Sequence, residues 1–288
     1  MIINWFTLTM LELVSVAIAN VSQKVTLKGE SPLSSITNNF LVWNFLGLLA
    51  LVYFFVFGLT VPAVTTDFFI KLIPLSIVYF LGGTFYYQSF KSNSVSISAV
   101  LATISSVITT TLGILWFGES TNIYKFVGAF IVFLAIIIVN YQKKLHFDKY
   151  NLYALLGGLF YGVAYATDKY FVISTSPDFY QIALCFGVGM ASFVFRPKQI
   201  ISELKLFQKK LIPSIVSAVI FFFMYQKFLF WAISIGGEVG RIDVLNNTTI
   251  FVVILLEVFL LKERKDLKRK IFAAIVATIG ATILVLAR

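Results

Sequence analysis

The sequence has few of the residues that build soluble catalytic and metal-binding sites. Its 288 residues include one cysteine, one histidine and only 12% charged residues. A single cysteine (Cys185) and a single histidine (His146) cannot form a disulfide framework, a zinc site or a haem pocket. Soluble domains carry about 25% charged residues, so the low charge excludes a soluble enzyme, a nucleic-acid-binding protein and a disordered scaffold. We therefore expect no cofactor, no metal ligand and no nucleic-acid partner.

Long hydrophobic runs replace the missing charge. Hydrophobic residues make up 59% of the chain, and the mean hydropathy is +0.92. A helix that crosses a bilayer needs roughly 20 apolar residues, and open strands cannot satisfy their backbone groups in lipid. The sequence therefore predicts an all-α membrane protein with ten transmembrane helices. The predicted spans are 5–24, 35–57, 68–90, 95–117, 123–141, 152–173, 179–195, 211–233, 239–261 and 271–286.

Basic residues predict the orientation of the chain when its loops are numbered in order. Of the 23 lysines and arginines, Lys227 falls well inside a span, and five fall in the even-numbered loops and the adjoining span ends or at the termini: Lys71, Lys125, Lys169, Arg241 and Arg288. The other 17 lie in odd-numbered loops. Cytoplasmic loops carry the excess of basic residues. We therefore expect a multi-pass protein of the cell (inner) membrane, with the odd loops in the cytoplasm, where they meet anionic lipid, and both termini outside.

The chain also repeats itself. Three residues near predicted helix ends recur 145 residues later: Lys24, Ser31 and Pro32 are followed by Lys169, Ser176 and Pro177. Each half then holds five spans. Because five is odd, the second half starts on the opposite side of the membrane from the first and has the opposite orientation. Inverted repeats of this kind are typical of secondary transporters, with the substrate site near mid-membrane between the halves. We expect two inverted five-helix repeats, 1–145 and 146–288, in which a monomer suffices and a dimer is possible.

Both halves resemble a known transporter family. Residues 94–141, with the ending Trp116-Phe117-Gly118-Glu119 and then Gly128, look like one EamA-type repeat. Residues 238–286, with Leu260-Leu261-Lys262-Glu263-Arg264 and Gly280, look like a second. Nearly the whole chain thus resembles the drug/metabolite transporter superfamily. The resemblance implies a carrier of small metabolites, frequently an exporter of amino acids or related compounds.

The sequence departs from this family in three respects. An arginine common in the family's second span has no counterpart among Asn38, Asn39, Trp43 and Asn44. The family often has a proline upstream of each repeated glutamate, where this chain has Ser106 and Ile250. Family members also usually keep both termini in the cytoplasm, which is opposite to the orientation that the loop charges predict.

Charged residues inside spans are costly and are therefore candidates for function. Glu12, Lys227 and Asp243 all fall in the outer half of their spans, near Arg241. In the functional interpretation, the acids bind an amine or a proton while a base binds a carboxylate. In the structural alternative, a salt bridge between Lys227 and Asp243 holds spans eight and nine together.

Glu12 is the strongest single candidate for a substrate-binding and coupling residue. Ser15, Ala19 and Gln23 follow it on one helix face. A carboxylate in the first span is similar to the binding glutamate of the small multidrug resistance carriers, which are distant relatives in the same superfamily. We expect Glu12 to bind substrate and to couple transport to protons; a structurally paired or snorkelling acid is the alternative.

Neutral side chains complete the predicted site. Asn246 and Asn247 share a face with Asp243 and are expected to hydrogen-bond substrate, although such amides also join helices. Tyr87 and Trp231, with Tyr86, Tyr225 and Trp43, could wall a cavity for a cation or a ring. The alternative is an interfacial aromatic belt.

These residues predict a secondary transporter that moves an amino acid or a related amine or zwitterion by alternating access, with export favoured. Proton-coupled efflux of organic cations or drugs is the alternative within this class. A membrane enzyme is not expected, because the sequence lacks clustered acids, a metal motif and a serine with a nearby histidine. A channel is a further alternative. The expected partners are a small-molecule substrate and membrane lipids.

Overall fold

A computed structural model shows a bundle of long helices. The structure describes residues 4–28, 31–59, 61–117, 122–142, 144–145, 148–237 and 239–286. The helices of the first half are α1 (Trp5–Leu27), α2 (Ser35–Val56), α3 (Thr66–Ser89), α4 (Val95–Ala102), α5 (Ile104–Phe117) and α6 (Ile123–Asn140). Two very short strands, β1 (Tyr141–Gln142) and β2 (Lys144–Leu145), then pair antiparallel.

The second half follows the same order with one added helix. Its helices are α7 (Lys149–Ser174), α8 (Pro177–Phe195), α9 (Pro197–Lys205), α10 (Ile212–Ser234), α11 (Val239–Asn247), α12 (Thr249–Leu256) and α13 (Leu267–Leu286). A 3-10 turn (Lys209–Leu211) precedes α10, and a π-helical segment (Glu257–Leu261) continues α12. The predicted all-helical class is confirmed.

Six helical stretches of the described chain have the length and apolar character needed to cross a bilayer. They are Trp5–Leu27, Ser35–Val56, Thr66–Ser89, Val95–Trp116, Pro177–Phe195 and Lys209–Ser234. Phe126–Val139 and Leu245–Leu261 are shorter apolar helices. The count of ten transmembrane helices therefore stays a prediction.

Polar caps explain where several helices begin. The side chains of Ser34, Thr65, Ser94 and Ser176 each accept a hydrogen bond from a backbone N–H three residues later. Such caps satisfy N–H groups that have no partner in the first turn of a helix. The turn chemistry between the apolar runs therefore sets the helix starts.

The largest helix packings join the two halves. They are α1 with α10, α3 with α7, α2 with α8, and α6 with α13. By their order in the two halves, α1 corresponds to α7, α2 to α8, α3 to α10 and α6 to α13. In the first two packings, the first and third long helices of one half contact the third and first of the other. In the last two, a helix contacts its own counterpart. A twofold relation between two repeats produces this pattern. The halves therefore interdigitate, while their inversion and the boundary at 145/146 stay predictions.

Small residues allow α7 to approach α4 and α5 closely. A Cβ atom on Gly158 would lie 2.7 Å from the carbonyl oxygen of Ala102, and one on Gly162 would lie 2.7 Å from that of Ser105. Membrane helices pack closely through small residues because lipid supplies no hydrophobic force between them. This contact holds the middle of α7 against the junction of α4 and α5.

Candidate functional site

Two helices have a tight turn at equivalent positions. Thr103 separates α4 from α5, and Thr248, 145 residues later, separates α11 from α12. At each site the threonine N–H and hydroxyl both donate to the carbonyl three residues earlier, at 2.6 to 3.3 Å. A hydroxyl that binds a backbone acceptor in this way competes with the regular helical pattern. The fourth and ninth spans therefore each tighten into one 3-10-like turn at the threonine, which keeps right-handed helical dihedral angles, so that the chain continues in the same direction.

An internal cavity of about 110 Å³ lies beside both turns. Residues that flank the two turns border it: Ala99, Ala102, Ser105, Asn246, Asn247, Thr249 and Ile250. An aromatic wall completes it: Trp43, Tyr79, Tyr86, Tyr87, Tyr161, Tyr165, Phe222, Tyr225 and Phe230. In transporters built from two repeats, the substrate site lies near mid-membrane between the repeats, often beside irregular helix segments at corresponding positions. The cavity is therefore the candidate functional site.

Asp243 supplies the charge of this cavity. Among the described residues that line it, Asp243 is the single acidic side chain and none is basic. The Ser106 hydroxyl donates to its carboxylate and accepts a hydrogen bond from Asn247 Nδ2 at 2.7 Å. Ser106 occupies a position where the EamA-type repeat often has proline. Here it joins α5 to α11 through hydrogen bonds instead.

Glu12 reaches the cavity indirectly. It is fully buried in α1, and Asn246 Nδ2 donates to its Oε1 at 2.6 Å. Asn246 borders the cavity, whereas Glu12 does not. The second carboxylate oxygen of Glu12 has no hydrogen-bond partner within the described part of the chain. Glu12 can therefore act on the cavity through the Asn246 amide.

Asp168 is a buried acid that the sequence analysis missed. It is 1% exposed and accepts hydrogen bonds from the hydroxyls of Tyr79 and Tyr180 at 2.5 Å each. A void of about 10 Å³, roughly the space of one water molecule, is bordered by both Asp168 and Asp243. Asp168 was overlooked because it adjoins Lys169 near the end of its span, where charge is ordinary.

A signal for α7 was nevertheless present in the sequence. Tyr161, Tyr165 and Asp168 follow the spacing of one helix face. The rings of Tyr161 and Tyr165 stack with centroids 5.6 Å apart, and both border the cavity. A polar stripe at this spacing in an otherwise apolar span could have identified the wall of the site.

Lys227 and Trp231 lie elsewhere. Lys227 Nζ contacts the carboxylate of Asp178 at the start of α8 and lies 4.5 Å from the ring centroid of Tyr53. The predicted salt bridge between Lys227 and Asp243 is therefore not formed. Trp231 is 37% exposed and does not border the cavity, whereas Tyr87 does. The side chain of Arg241 lies outside the described residues.

Gln226 and Asn20 border the cavity without having been predicted. Gln226 faces it because neighbouring residues of a helix point about 100° apart, so the residue before Lys227 occupies a different face. The Sγ of Cys185 lies 3.3 Å from Oε1 of Gln226. In the part of the chain that the structure describes, no three histidine, cysteine or acidic side chains are grouped to hold a metal ion.

A different network lies on the side of the odd-numbered loops. Glu257, 1% exposed, contacts Lys270 of α13 at 3.1 Å and accepts a hydrogen bond from the Ser96 N–H at 3.0 Å. This network joins α4, the π-helical segment and α13. It is separate from the cavity, since none of its members borders it.

Comparisons with known proteins complete the description. The model of the EamA-like transporter family matches residues 3–141 and 148–286. No curated protein matches the sequence at a significant level. Several solved structures match, and one of them, a crystal structure, has a TM-score of 0.64 and 12% identity over 97% of this chain and 96% of that chain. At this identity the likeness shows the fold alone, whereas the two family matches confirm the resemblance expected from the sequence.

Proposed function

The chain belongs to the EamA-like transporter family, whose members are membrane transporters rather than enzymes, and we propose that it carries an amine-bearing small metabolite across the cell membrane by alternating access. The proposed substrate is an amino acid or a related compound. The cavity beside Thr103 and Thr248 carries this proposal, because Asp243 and a wall of aromatic rings border one internal space there. Export is proposed from the family resemblance.

Asp243 and the aromatic wall favour a substrate with an ammonium group. A carboxylate in a low-dielectric cavity attracts a cation far more strongly than in water, and tyrosine faces attract cations as well. Among the described lining residues no basic side chain competes for Asp243. The ammonium group of the substrate would therefore neutralise this carboxylate.

Amide groups are the proposed partners of the carboxylate of a zwitterion. Asn246, Asn247 and Gln226 border the cavity. Each amide NH₂ has two donor hydrogens. The Nδ2 atoms of Asn246 and Asn247 use one of them on Glu12 and Ser106. Lys227 has no part in this proposal, since it contacts Asp178 outside the cavity.

Proton-coupled efflux of organic cations is the second candidate function. One observation favours it: the described walls of the cavity combine an acid with nine aromatic side chains and contain no base. A cation without a carboxylate would use Asp243 and the rings alone. The two candidates therefore differ in whether the amide groups are needed.

Glu12 is the proposed coupling residue. When ionised, its Oε1 accepts from Asn246 Nδ2; when protonated, it can donate a hydrogen bond, which favours the opposite orientation of the amide. Asn246 borders the cavity, so a proton on Glu12 changes the groups presented to substrate. Through this link, a proton bound to Glu12 and a substrate bound in the cavity would weaken each other's binding, although they occupy different groups.

Ligand-dependent unfolding tests the substrate class. The purified protein is heated with amino acids, organic amine cations or nucleosides, at pH 6 and at pH 8. A ligand that binds only the folded form raises the unfolding midpoint. Stabilisation by a zwitterion supports the first candidate, and stabilisation by cations alone, stronger at pH 8, supports the second. Stabilisation by nucleosides with none by any amine would contradict both.

The proposed orientation keeps the odd-numbered loops in the cytoplasm and both termini outside. Lys91 and Asp67 are exposed residues near opposite ends of α3. In a Cys185→Ala background, a membrane-impermeant thiol reagent applied to intact cells should label Asp67→Cys and not Lys91→Cys. The reverse labelling would place the termini in the cytoplasm.

A further inference from the structure

A second cavity opens at the end of the bundle that carries the odd-numbered loops. Its volume is about 670 Å³, and it shares no described lining residue with the first cavity. Its walls come from the starts of α4 and α7 and from residues 262–266, which connect the π-helical segment to α13. The apolar side chains of Ile97 and Val139 also border it.

The charges that face this cavity are predominantly basic. Five basic residues border it, namely Lys24, Lys262, Arg264, Lys265 and Lys270, together with three acids. All three acids have other partners: Glu263 contacts Lys28 at 3.0 Å, Asp266 contacts Arg269 at 2.9 Å, and Asp148 accepts from the first N–H groups of α7 at 2.9 Å. Lys262, Arg264 and Lys265 are exposed, and no carboxylate of the described chain contacts them.

Lys24 places a buried positive charge in the same wall. It is 5% exposed, and its ammonium group donates to the carbonyls of Phe90 and of Asn93, the latter at 2.8 Å. No carboxylate contacts it within the described residues. A buried charge is costly unless an opposite charge compensates it. An anion in the cavity would supply that compensation.

The connection after the π-helical segment has a defined shape. The Glu263 N–H donates to the Glu257 carbonyl at 3.0 Å, and Lys262 adopts φ +56°. This is the closing hydrogen bond of a helix that ends in a left-handed residue. Lys262, Arg264 and Lys265 therefore come directly after a helix end whose geometry is fixed by a hydrogen bond.

A strongly exposed apolar pair precedes these cations in the sequence, although it does not itself border the cavity. Phe259 and Leu260 are 74% and 65% exposed and precede Lys262 in the π-helical segment. In a membrane protein, apolar side chains next to basic ones at a helix end match the boundary between acyl chains and headgroups. A small soluble anion has no apolar group that could pack against Phe259 and Leu260.

We propose that this second cavity binds the phosphate-bearing headgroup of an anionic phospholipid. Lys24, Lys262, Arg264 and Lys265 surround the phosphate, and an acyl chain lies against Phe259 and Leu260. The inference does not depend on the identity of the transported substrate, because the two cavities have separate walls.

Native mass spectrometry of the purified protein tests this proposal. The protein is equilibrated with equal amounts of phosphatidylglycerol and phosphatidylcholine of the same chain length. We expect wild type to retain phosphatidylglycerol preferentially. Lys262→Gln/Arg264→Gln/Lys265→Gln should lower that preference about tenfold or more, because it removes the three exposed positive charges that border the cavity.

A matched variant separates this site from general surface charge. Lys205→Gln/Lys209→Gln/Lys210→Gln removes the same number of exposed basic residues from another odd-numbered loop and should keep the preference. Equal losses in the two triple variants, or no preference in wild type, would overturn the proposal.

Two further arms distinguish a lipid from a free anion. Phe259→Ser/Leu260→Ser should weaken the retention of phosphatidylglycerol. Inorganic phosphate should not displace the lipid at millimolar concentration. Displacement by phosphate, together with full retention in the serine variant, would instead indicate a site for a soluble anion.

Discussion

One buried carboxylate lies on one side of the turns at Thr103 and Thr248, three lie on the other side, and their partners differ. Glu257, on the side of the odd-numbered loops, contacts the ammonium group of Lys270 at 3.1 Å. Glu12, Asp168 and Asp243, on the other side, accept hydrogen bonds from neutral amide and hydroxyl groups of the described chain. The first acid is compensated within the fold, whereas the other three are not compensated by any described base.

This difference separates structural acids from candidate functional ones. A buried ion pair that lacks one partner is strongly destabilised, so its members stay together. A buried carboxylate held only by neutral donors keeps its affinity for a proton or for a ligand cation. Of these three acids, Asp243 borders the cavity of about 110 Å³, where such a cation would be received, and it shares the void of about 10 Å³ with Asp168.

Removing the partner of Glu257 should produce the largest effect. Lys270→Met leaves a buried carboxylate uncompensated, which costs about 3–5 kcal/mol, and the unfolding midpoint of the purified protein should fall clearly. Glu257→Gln/Lys270→Met removes both charges and should recover part of the loss. Lys268→Met, at an exposed neighbouring position, should unfold like wild type. A wild-type midpoint in Lys270→Met would show that the pair is not structural.

Removing the charge of Asp243 should act on ligand binding instead. Asp243→Asn loses a charge-assisted hydrogen bond, typically about 1.5–3 kcal/mol, so binding of an amine ligand should weaken about tenfold to hundredfold. Asp178→Asn, which alters an acid outside the cavity, should retain binding. Ligand-induced shifts of the unfolding midpoint measure both variants. Unchanged binding in Asp243→Asn would exclude the proposed ammonium site.

Replacing Glu12 should change the pH dependence of transport. If one proton must bind before the transport step, the rate changes by up to about tenfold per pH unit. Glu12→Gln should therefore transport at a rate that varies little between pH 6 and pH 8, whereas Glu12→Asp should keep the dependence. Transport in proteoliposomes measures this. A fully pH-dependent Glu12→Gln, with Asp168→Asn independent of pH, would move the coupling to Asp168.

The smallest effect is expected at Glu203 in α9, outside the membrane spans. Partial burial of Glu203 opposes its ionisation, but hydrogen bonds from Ser34, Thr37 and Gln199 outweigh this and lower its pKa. An acid whose pKa is lowered in the folded state stabilises the fold above its unfolded pKa, about 4.3, and loses that contribution as the pH falls through the folded value.

Glu203→Gln should therefore lower the free energy of unfolding at pH 7 by less than about 1 kcal/mol, since the group is partly exposed to screening solvent. The difference from wild type should shrink steadily below pH 4.3. A difference that persists or grows in acid would show that the contact between α9 and the N-terminus of α2 has another origin.

Much of the fold was predictable because the composition and periodicity of each segment indicate its structure without knowledge of its tertiary contacts. Low charge and apolar runs indicate membrane helices whatever the neighbours of each helix are, and the recurrence of Lys24, Ser31 and Pro32 indicates two repeats. The turns at Thr103 and Thr248 were not predictable, because threonine, unlike proline, is compatible with a continuous helix. Only the hydrogen bonds of the folded chain distinguish the two outcomes.

The candidate site was predictable in part. Asp243, Asn246, Asn247 and Tyr87 border the cavity, and Glu12 contacts one of its walls. The partner of Lys227 was not predictable, since a residue inside a span has several acids within reach along the chain. Packing of α8 against α10 brings Asp178 to it, and the sequence alone does not specify that contact.

The amino-acid sequence by itself determined the helical membrane class, the repeated organisation and the family, because these follow from composition, periodicity and motifs that each segment carries alone. The tertiary structure decided which polar residues meet. It placed Asp243 and six tyrosines around one cavity beside the turns at Thr103 and Thr248. It also paired Glu257 with Lys270 and Glu12 with the amide of Asn246. Contacts between helices distant in sequence determine these partners, and no local pattern encodes them.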